Sequence, residues 1–166
     1  MTIPPPEPQP RLSRPPYDGE IIWNNNHVYS LGHELGAGYF GKVFRCTDRW
    51  SNDLVAKVLV PQHDSYDQVR DQWSRELGNL IRLRHPNITF AYDAFEYEHA
   101  FCLILERCAN DLNSLFQIAD FNGELWLPTL ARDVLQALEF MHDAGYVHKD
   151  LHPGNVFVFS ARHRMV

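Results

Sequence analysis

Apolar and polar positions along the chain change period several times. Over 28–35 they alternate loosely, and 42–48 carries Val43, Phe44 and Cys46 in a similar two-residue rhythm. Such alternation predicts β-strands. Ser51-Asn52-Asp53 then makes a polar turn before 54–60, a β-branched run that Pro61 ends. Two strands around a short polar turn predict an antiparallel hairpin. Over 67–84 the period lengthens, and Val69, Trp73, Leu77, Leu80 and Ile81 form one helical stripe. His85-Pro86-Asn87 stops that helix, because proline disfavours helix in the residue before it. Strands are predicted again over 88–95 and 100–105, on either side of 96–99. A short helix is predicted over 111–117 and a long one over 128–144, with Leu130, Val134, Leu138 and Met141 on one face. Pro128 is expected in the first turn of the long helix, where its missing N–H costs nothing. A last short strand covers 156–159. Five strands with one inserted helix, then mostly helix, make an α+β layout with a small sheet-rich lobe first.

The N-terminus breaks this pattern. Seven of the eleven prolines lie within residues 1–16. Proline can neither donate to a ladder nor continue a helix, so residues 1–27 are expected to be an extended, disordered arm. Pro5 and Pro8 have the Pro-x-x-Pro spacing, with Arg11 and Arg14 nearby, that an SH3 or WW groove would take. Asn24-Asn25-Asn26 reads as a polar turn before the fold proper.

Composition narrows the classes. A net charge of −6 gives none of the broad basic field that nucleic acid or an anionic membrane requires. Hydrophobic residues make up 45% of the chain, enough for a sizeable core. Cys46, Cys102 and Cys108 are odd in number and form no Cys-x-x-Cys pair, which argues for reduced thiols in a cytoplasmic or nuclear protein. The apolar run 101–105 is far too short to cross a bilayer, and no apolar signal core opens the chain.

Two clusters carry chemistry. In Leu35-Gly36-Ala37-Gly38-Tyr39-Phe40-Gly41-Lys42-Val43, glycines at 36, 38 and 41 would let backbone N–H groups approach an anion. A Rossmann turn would need a helix next, but a strand follows, so these glycines join two strands as a flap. Lys57 follows in the next strand, where burial is costly unless an anion pairs with it. Glu76, in the helix whose stripe faces the sheet, is a candidate for that pairing. The second cluster is Val147-His148-Lys149-Asp150-Leu151-His152-Pro153-Gly154-Asn155. On such a loop Asp150 can accept a proton from an attacking hydroxyl, and Asn155 can offer an amide oxygen to a metal ion.

Together these motifs resemble a eukaryotic-type protein kinase domain in its N-terminal half, over about residues 29–159. The stretch 35–43 resembles the Gly-rich loop, Val55-Ala56-Lys57 the strand lysine motif and Glu76 the helix-C glutamate. His85-Pro86-Asn87-Ile88 resembles the junction after that helix. Residues 103–108 are similar to the final small-lobe strand and hinge, and His148-Lys149-Asp150-Leu151 with Asn155 to the catalytic loop. The resemblance implies a small lobe of five antiparallel strands and one helix over 28–105, then the hinge and a partial helical lobe over 106–166. It also implies ATP and Mg2+ as cofactors and a protein Ser or Thr hydroxyl as acceptor. Gly36, Gly38 and Gly41 would cover the phosphates, and Lys57, paired with Glu76, would bind them. Val43 and Ala56 would sandwich adenine above Phe157. Backbone groups of Glu106 and Cys108 would hold its edge, with Leu105 behind it. Asp111 would meet the ribose, Asp150 would act as base, and Asn155 would bind magnesium.

Three departures qualify the resemblance. Lys149 replaces an arginine, losing the planar fork. His152 stands where Ser/Thr kinases carry a lysine, and the run 150–155 also resembles aminoglycoside- and choline-kinase-like phosphotransferases. No aspartate follows Asp150, so the Asp-Phe-Gly metal ligand is not among the 166 residues. The expectation is a weak nucleotide binder with little phosphotransfer from these residues alone and with Leu130, Val134, Leu138 and Met141 exposed. A catalytically inactive binding module is the competing class.

Overall fold

A computed structural model of the chain describes residues 14–38, 41–60, 65–159 and 164–165. Six strands form one antiparallel sheet: β1 (Ile21–Asn24), β2 (His27–Gly38), β3 (Gly41–Asp48), β4 (Asp53–Leu59), β5 (Ala91–Tyr97) and β6 (Ala100–Glu106). Their order across the sheet is β1-β2-β3-β4-β6-β5. Turns of two residues join β1 to β2 and β5 to β6. Asn25 in the first, and Glu98 and His99 in the second, have φ of 52°, 49° and 63°. Left-handed turn residues match the right-handed twist of the flanking strands.

The sheet's two faces follow from strand alternation. One face packs Ile22, Leu31, Phe44, Cys46, Ala56, Val58, Cys102 and Ile104 into the main core. The edges of the sheet approach each other around this core. Asp93 in β5 accepts hydrogen bonds from Asn24 Nδ2 at 3.0 Å and from the Tyr29 hydroxyl at 2.8 Å. The opposite face carries Leu59 and Phe101, which pack on Val69 and Trp73 of α1 (Tyr66–Arg82). Ser65 and Gln68 form a reciprocal capping box that starts this helix. The Trp73 indole N–H donates to the Cys102 carbonyl at 3.1 Å, fixing the helix against β6.

The remaining elements are β7 (Asn110–Asp111), α2 (Leu112–Phe116), α3 (Gly123–Asp143), β8 (Phe157–Phe159) and β9 (Arg164–Met165). Strands β7, β8 and β9 make a second small sheet in that order. Leu112, Leu130 and Val156 form the core of this part. No helix among the described residues is long and apolar enough to cross a membrane.

Three expectations need correction. The sheet has six strands, because Ile21–Asn24 pairs with β2 inside the stretch expected to be a disordered arm. Residues 14–20 are also tied down: buried Glu20 pairs with Arg14, accepts from the Tyr17 N–H at 3.1 Å and accepts from the Tyr97 hydroxyl at 2.8 Å. The Pro5–Pro8 motif and Arg11 lie outside the described residues. Next, α3 begins at Gly123, so Pro128 sits inside it. The Asn122 side chain caps the Leu125 N–H at 3.1 Å. The bond that Pro128 cannot make falls near the exposed start of the helix, beside exposed Glu124. Lastly, Leu130 is buried, and Val134, Leu138 and Met141 are half-buried. That stripe faces α1 and the 148–156 loop; the exposed leucines of α3 are Leu125, Leu127 and Leu135.

Candidate active site

Strand register decides which side chains share the face that bears Lys57. Val43 lies opposite Lys57 and Arg45 opposite Val55, while Leu103 and Leu105 oppose the same two β4 residues from β6. Directly opposed residues point to the same face. Val43, Val55, Lys57, Leu103 and Leu105 therefore form one surface. Ala56 does not belong to it. Ala56 opposes Phe44 and Ile104, is fully buried and lies in the main core on the face opposite Lys57, so the expected placement beside Val43 is corrected. Half-buried Val55 lies on the Lys57 face instead. Alternation counted from Lys57 was the signal that would have found it.

Lys57 Nζ donates to Glu76 Oε1 at 2.7 Å. Glu76 is seven residues beyond Val69 and three beyond Trp73, so helix geometry aims all three at the sheet. Both partners are partly open, at 31% and 29% side-chain exposure, which leaves room for a further anion at the ammonium. An ammonium has three donors.

The flap over this surface is the hairpin of β2 and β3, with Gly36 opposite Val43 and Gly38 opposite Gly41. Tyr39 and Phe40 at its tip lie outside the described residues. Gly41 is required by the fold itself. Its φ is +134°, and a Cβ there would lie 2.0 Å from the Val58 carbonyl oxygen. A Cβ at Gly36 or Gly38 would meet nothing within 4 Å, so packing does not explain those two glycines.

The hinge runs from Leu105 to Asp111. The Glu106 N–H donates to the Phe90 carbonyl at 3.1 Å, and its carboxylate accepts from the Phe90 N–H at 2.8 Å. Burial raises the Glu106 pKa, although that hydrogen bond opposes the shift. Burial, aided by the Glu106 carboxylate, pushes the Cys108 thiol up to about 11. Asp111 caps α2 by accepting the Ser114 N–H at 2.7 Å, which lowers its pKa. It pairs with Phe157 across β7 and β8. Val156 and Val158 point into the small core, whereas Phe157 is 37% exposed.

Asp150 and Asn155 meet on the second loop. Asn155 Nδ2 donates to both the Asp150 carbonyl and Asp150 Oδ2, each at 2.9 Å. Lys149, just before, has φ of 65°, a strained value for a long side chain. The Asp150 N–H is anchored by His148 Nδ1 at 3.3 Å. A cavity of about 240 Å³ lies between α1, α3 and this loop; Leu80, Val134, Met141, His148 and Leu151 are among its lining residues. The helix that carries Glu76 and the loop that carries Asp150 thus share one wall. Their geometry forms two local units, Lys57 with Glu76 and Asp150 with Asn155.

A sequence model of the protein kinase domain matches residues 29–165. The chain belongs to the protein kinase family. It is 33% identical over 132 residues to the serine/threonine-protein kinase Aurora-1 of Arabidopsis thaliana, covering 78% of this chain and 45% of that protein. It is 24% identical over 132 residues to the serine/threonine-protein kinase dst1 of Dictyostelium discoideum, covering 79% and 18%. It is 27% identical over 160 residues to the dual specificity protein kinase KNS1 of Saccharomyces cerevisiae, covering 88% and 21%. The chain spans less than half the length of each of these relatives. Its sheet lobe followed by helices is the kinase arrangement.

Proposed function

We propose that this kinase chain binds ATP between the Lys57 face of the sheet and Phe157 and supplies the base for transfer of the γ-phosphoryl group to a protein Ser or Thr hydroxyl, at a low rate from these 166 residues because the Asp-Phe-Gly aspartate is not among them. The observation that carries this reading is the 2.7 Å pair of Lys57 and Glu76, set on a sheet face otherwise lined by Val43, Val55 and Leu105. A lysine held in that way is a fixed cation for phosphate oxygens. The acceptor class follows the two relatives named as serine/threonine kinases. Three free cysteines, each with a pKa raised mainly by burial, suit a reducing compartment, cytoplasm or nucleus.

Each residue then has a task. Gly36 and Gly38 leave the flap backbone bare over the phosphates. Val43 and Val55 cover one face of adenine, and Phe157 covers the other. Leu105 limits depth behind the ring, while backbone groups of Glu106 and Cys108 take its edge. Asp111, held ionised by its cap, meets the ribose. Asp150 accepts the proton of the attacking hydroxyl. Asn155 suits magnesium because its amide nitrogen is already committed to Asp150, leaving Oδ1 for the cation. Magnesium, when bound, neutralises phosphate charge. Most of the acceleration comes from positioning and electrostatics.

The test is phosphate transfer from labelled ATP to Ser/Thr peptides by the full chain. Asp150→Asn should lower the rate by a factor of about 10²–10⁴, the usual worth of a positioned base. Transfer that persists at the starting rate in Asp150→Asn contradicts the proposal.

A further inference from the structure

One side chain of the 148–155 loop is held more firmly than a surface residue needs to be. His152 Nδ1 accepts the Gly154 N–H at 3.1 Å. That bond leaves the ring proton on Nε2 in the neutral imidazole. Nε2 lies 3.8 Å from Asp150 Oδ2, the oxygen that already receives the Asn155 amide. Gly154 makes room for this arrangement. A Cβ there would lie 2.9 Å from His152 Cε1 and 3.1 Å from both His152 Nδ1 and Asn113 Nδ2. The imidazole, half exposed, therefore lies across a glycine with Nε2 3.8 Å from one oxygen of an exposed carboxylate.

We infer that His152 is a positioning residue for Asp150, an inference that rests on the function proposed above. His152 Nε2–H and Asn155 Nδ2–H converge on Oδ2 from two sides. They select the carboxylate rotamer and leave Oδ1 to take the proton of the acceptor hydroxyl. At 3.8 Å the His152 contact is too long for a hydrogen bond in the free protein. Such contacts tighten when the reacting complex forms.

Two variants separate the ring's roles. In His152→Asn the side-chain oxygen can still accept the Gly154 N–H, so the turn is kept, but nothing reaches Asp150. In His152→Gln a terminal N–H can reach Asp150, while the turn acceptor is lost. Both are made in the full chain, with Asp150→Asn alongside, and kcat, KM for ATP and the thermal midpoint are measured. His152→Asn should keep the midpoint and KM and lose about tenfold in kcat, the scale of one hydrogen bond to a charged group. His152→Gln should recover most of that loss. Wild-type kcat in His152→Asn, or a His152→Gln rate as low as that of His152→Asn, overturns the inference. If Asp150→Asn itself runs at the wild-type rate, the underlying function fails and this role falls with it. Ring ¹⁵N shifts give a second readout: an Nε2–H tautomer supports the assignment, and an Nδ1–H tautomer overturns it.

Discussion

The two parts of the molecule solve packing differently. The sheet lobe is closed: Ile22, Cys46, Ala56, Val58, Cys102, Leu103 and Ile104 are fully buried, and the sheet edges are joined by side-chain hydrogen bonds. The part that carries Asp150 and Asn155 is thin. Its core residues Leu112, Leu130 and Val156 keep 7–9% exposure, while Leu125 and Leu127 on α3 are 71% and 62% exposed. Stability is thus concentrated in the lobe that holds Lys57. The proton-accepting group stands on a loop whose order comes from local hydrogen bonds rather than from a deep core.

Core truncation should expose this contrast most strongly. Phe101→Ala, at a position 1% exposed between β6 and α1, should cost about 3–5 kcal/mol in a denaturant midpoint analysis. Leu130→Ala should fall near the low end of leucine truncations, about 2 kcal/mol. Equal losses at both positions would break the comparison.

The flap offers a second contrast. Gly41→Ala should destabilise by at least about 2 kcal/mol, since it forces strained φ and a clash with the Val58 carbonyl. Gly36→Ala should stay within about 0.5 kcal/mol, as expected for a substitution that touches nothing. Thermal unfolding of the two variants checks this.

Lys57→Met should separate function from fold. The ion pair is partly open to solvent, so its removal should change stability by no more than about 1 kcal/mol. Nucleotide affinity should nevertheless fall at least about tenfold, the loss of one charge-assisted contact.

The smallest effect is acid dependence at the sheet–hinge junction. Asp53 is slightly desolvated, but hydrogen bonds from Arg107 and Arg45 outweigh that and hold its pKa below the usual carboxylate value. A depressed folded-state pKa adds stability above the unfolded value, about 3.9, and that stability is lost as pH falls through the folded value. The stability gap between wild type and Asp53→Asn should therefore narrow below about pH 4. A gap independent of pH would show that these ion pairs contribute nothing.

Much of this was legible from residue order alone. Lys57 could be read as a pairing lysine because an unpaired charge in an apolar strand is costly, and Glu76 because it shares the α1 stripe. Other features were hidden for physical reasons. Residues Ile21–Asn24 show no clean alternation, because Ile21 and Trp23 are apolar yet exposed on an edge strand, so β1 was missed. The resemblance of Val55-Ala56-Lys57 to the strand lysine motif points Ala56 at the ligand, but strand parity turns it into the core. The start of α3 was misread at Pro128, because Leu125-Trp126-Leu127 has no helical stripe and proline is common at first turns. The coupling of His152 to Gly154 is a ring-over-backbone contact that residue spacing does not reveal.

The most direct measurement is calorimetric titration of the full chain with MgATP, in wild type, Lys57→Met, Val55→Glu and the exposed α3 control Leu125→Ala. Saturable binding in wild type and Leu125→Ala, lost or at least tenfold weaker in Lys57→Met and Val55→Glu, is the expected result. Undiminished affinity in Lys57→Met and Val55→Glu would contradict placement of the nucleotide on this sheet face.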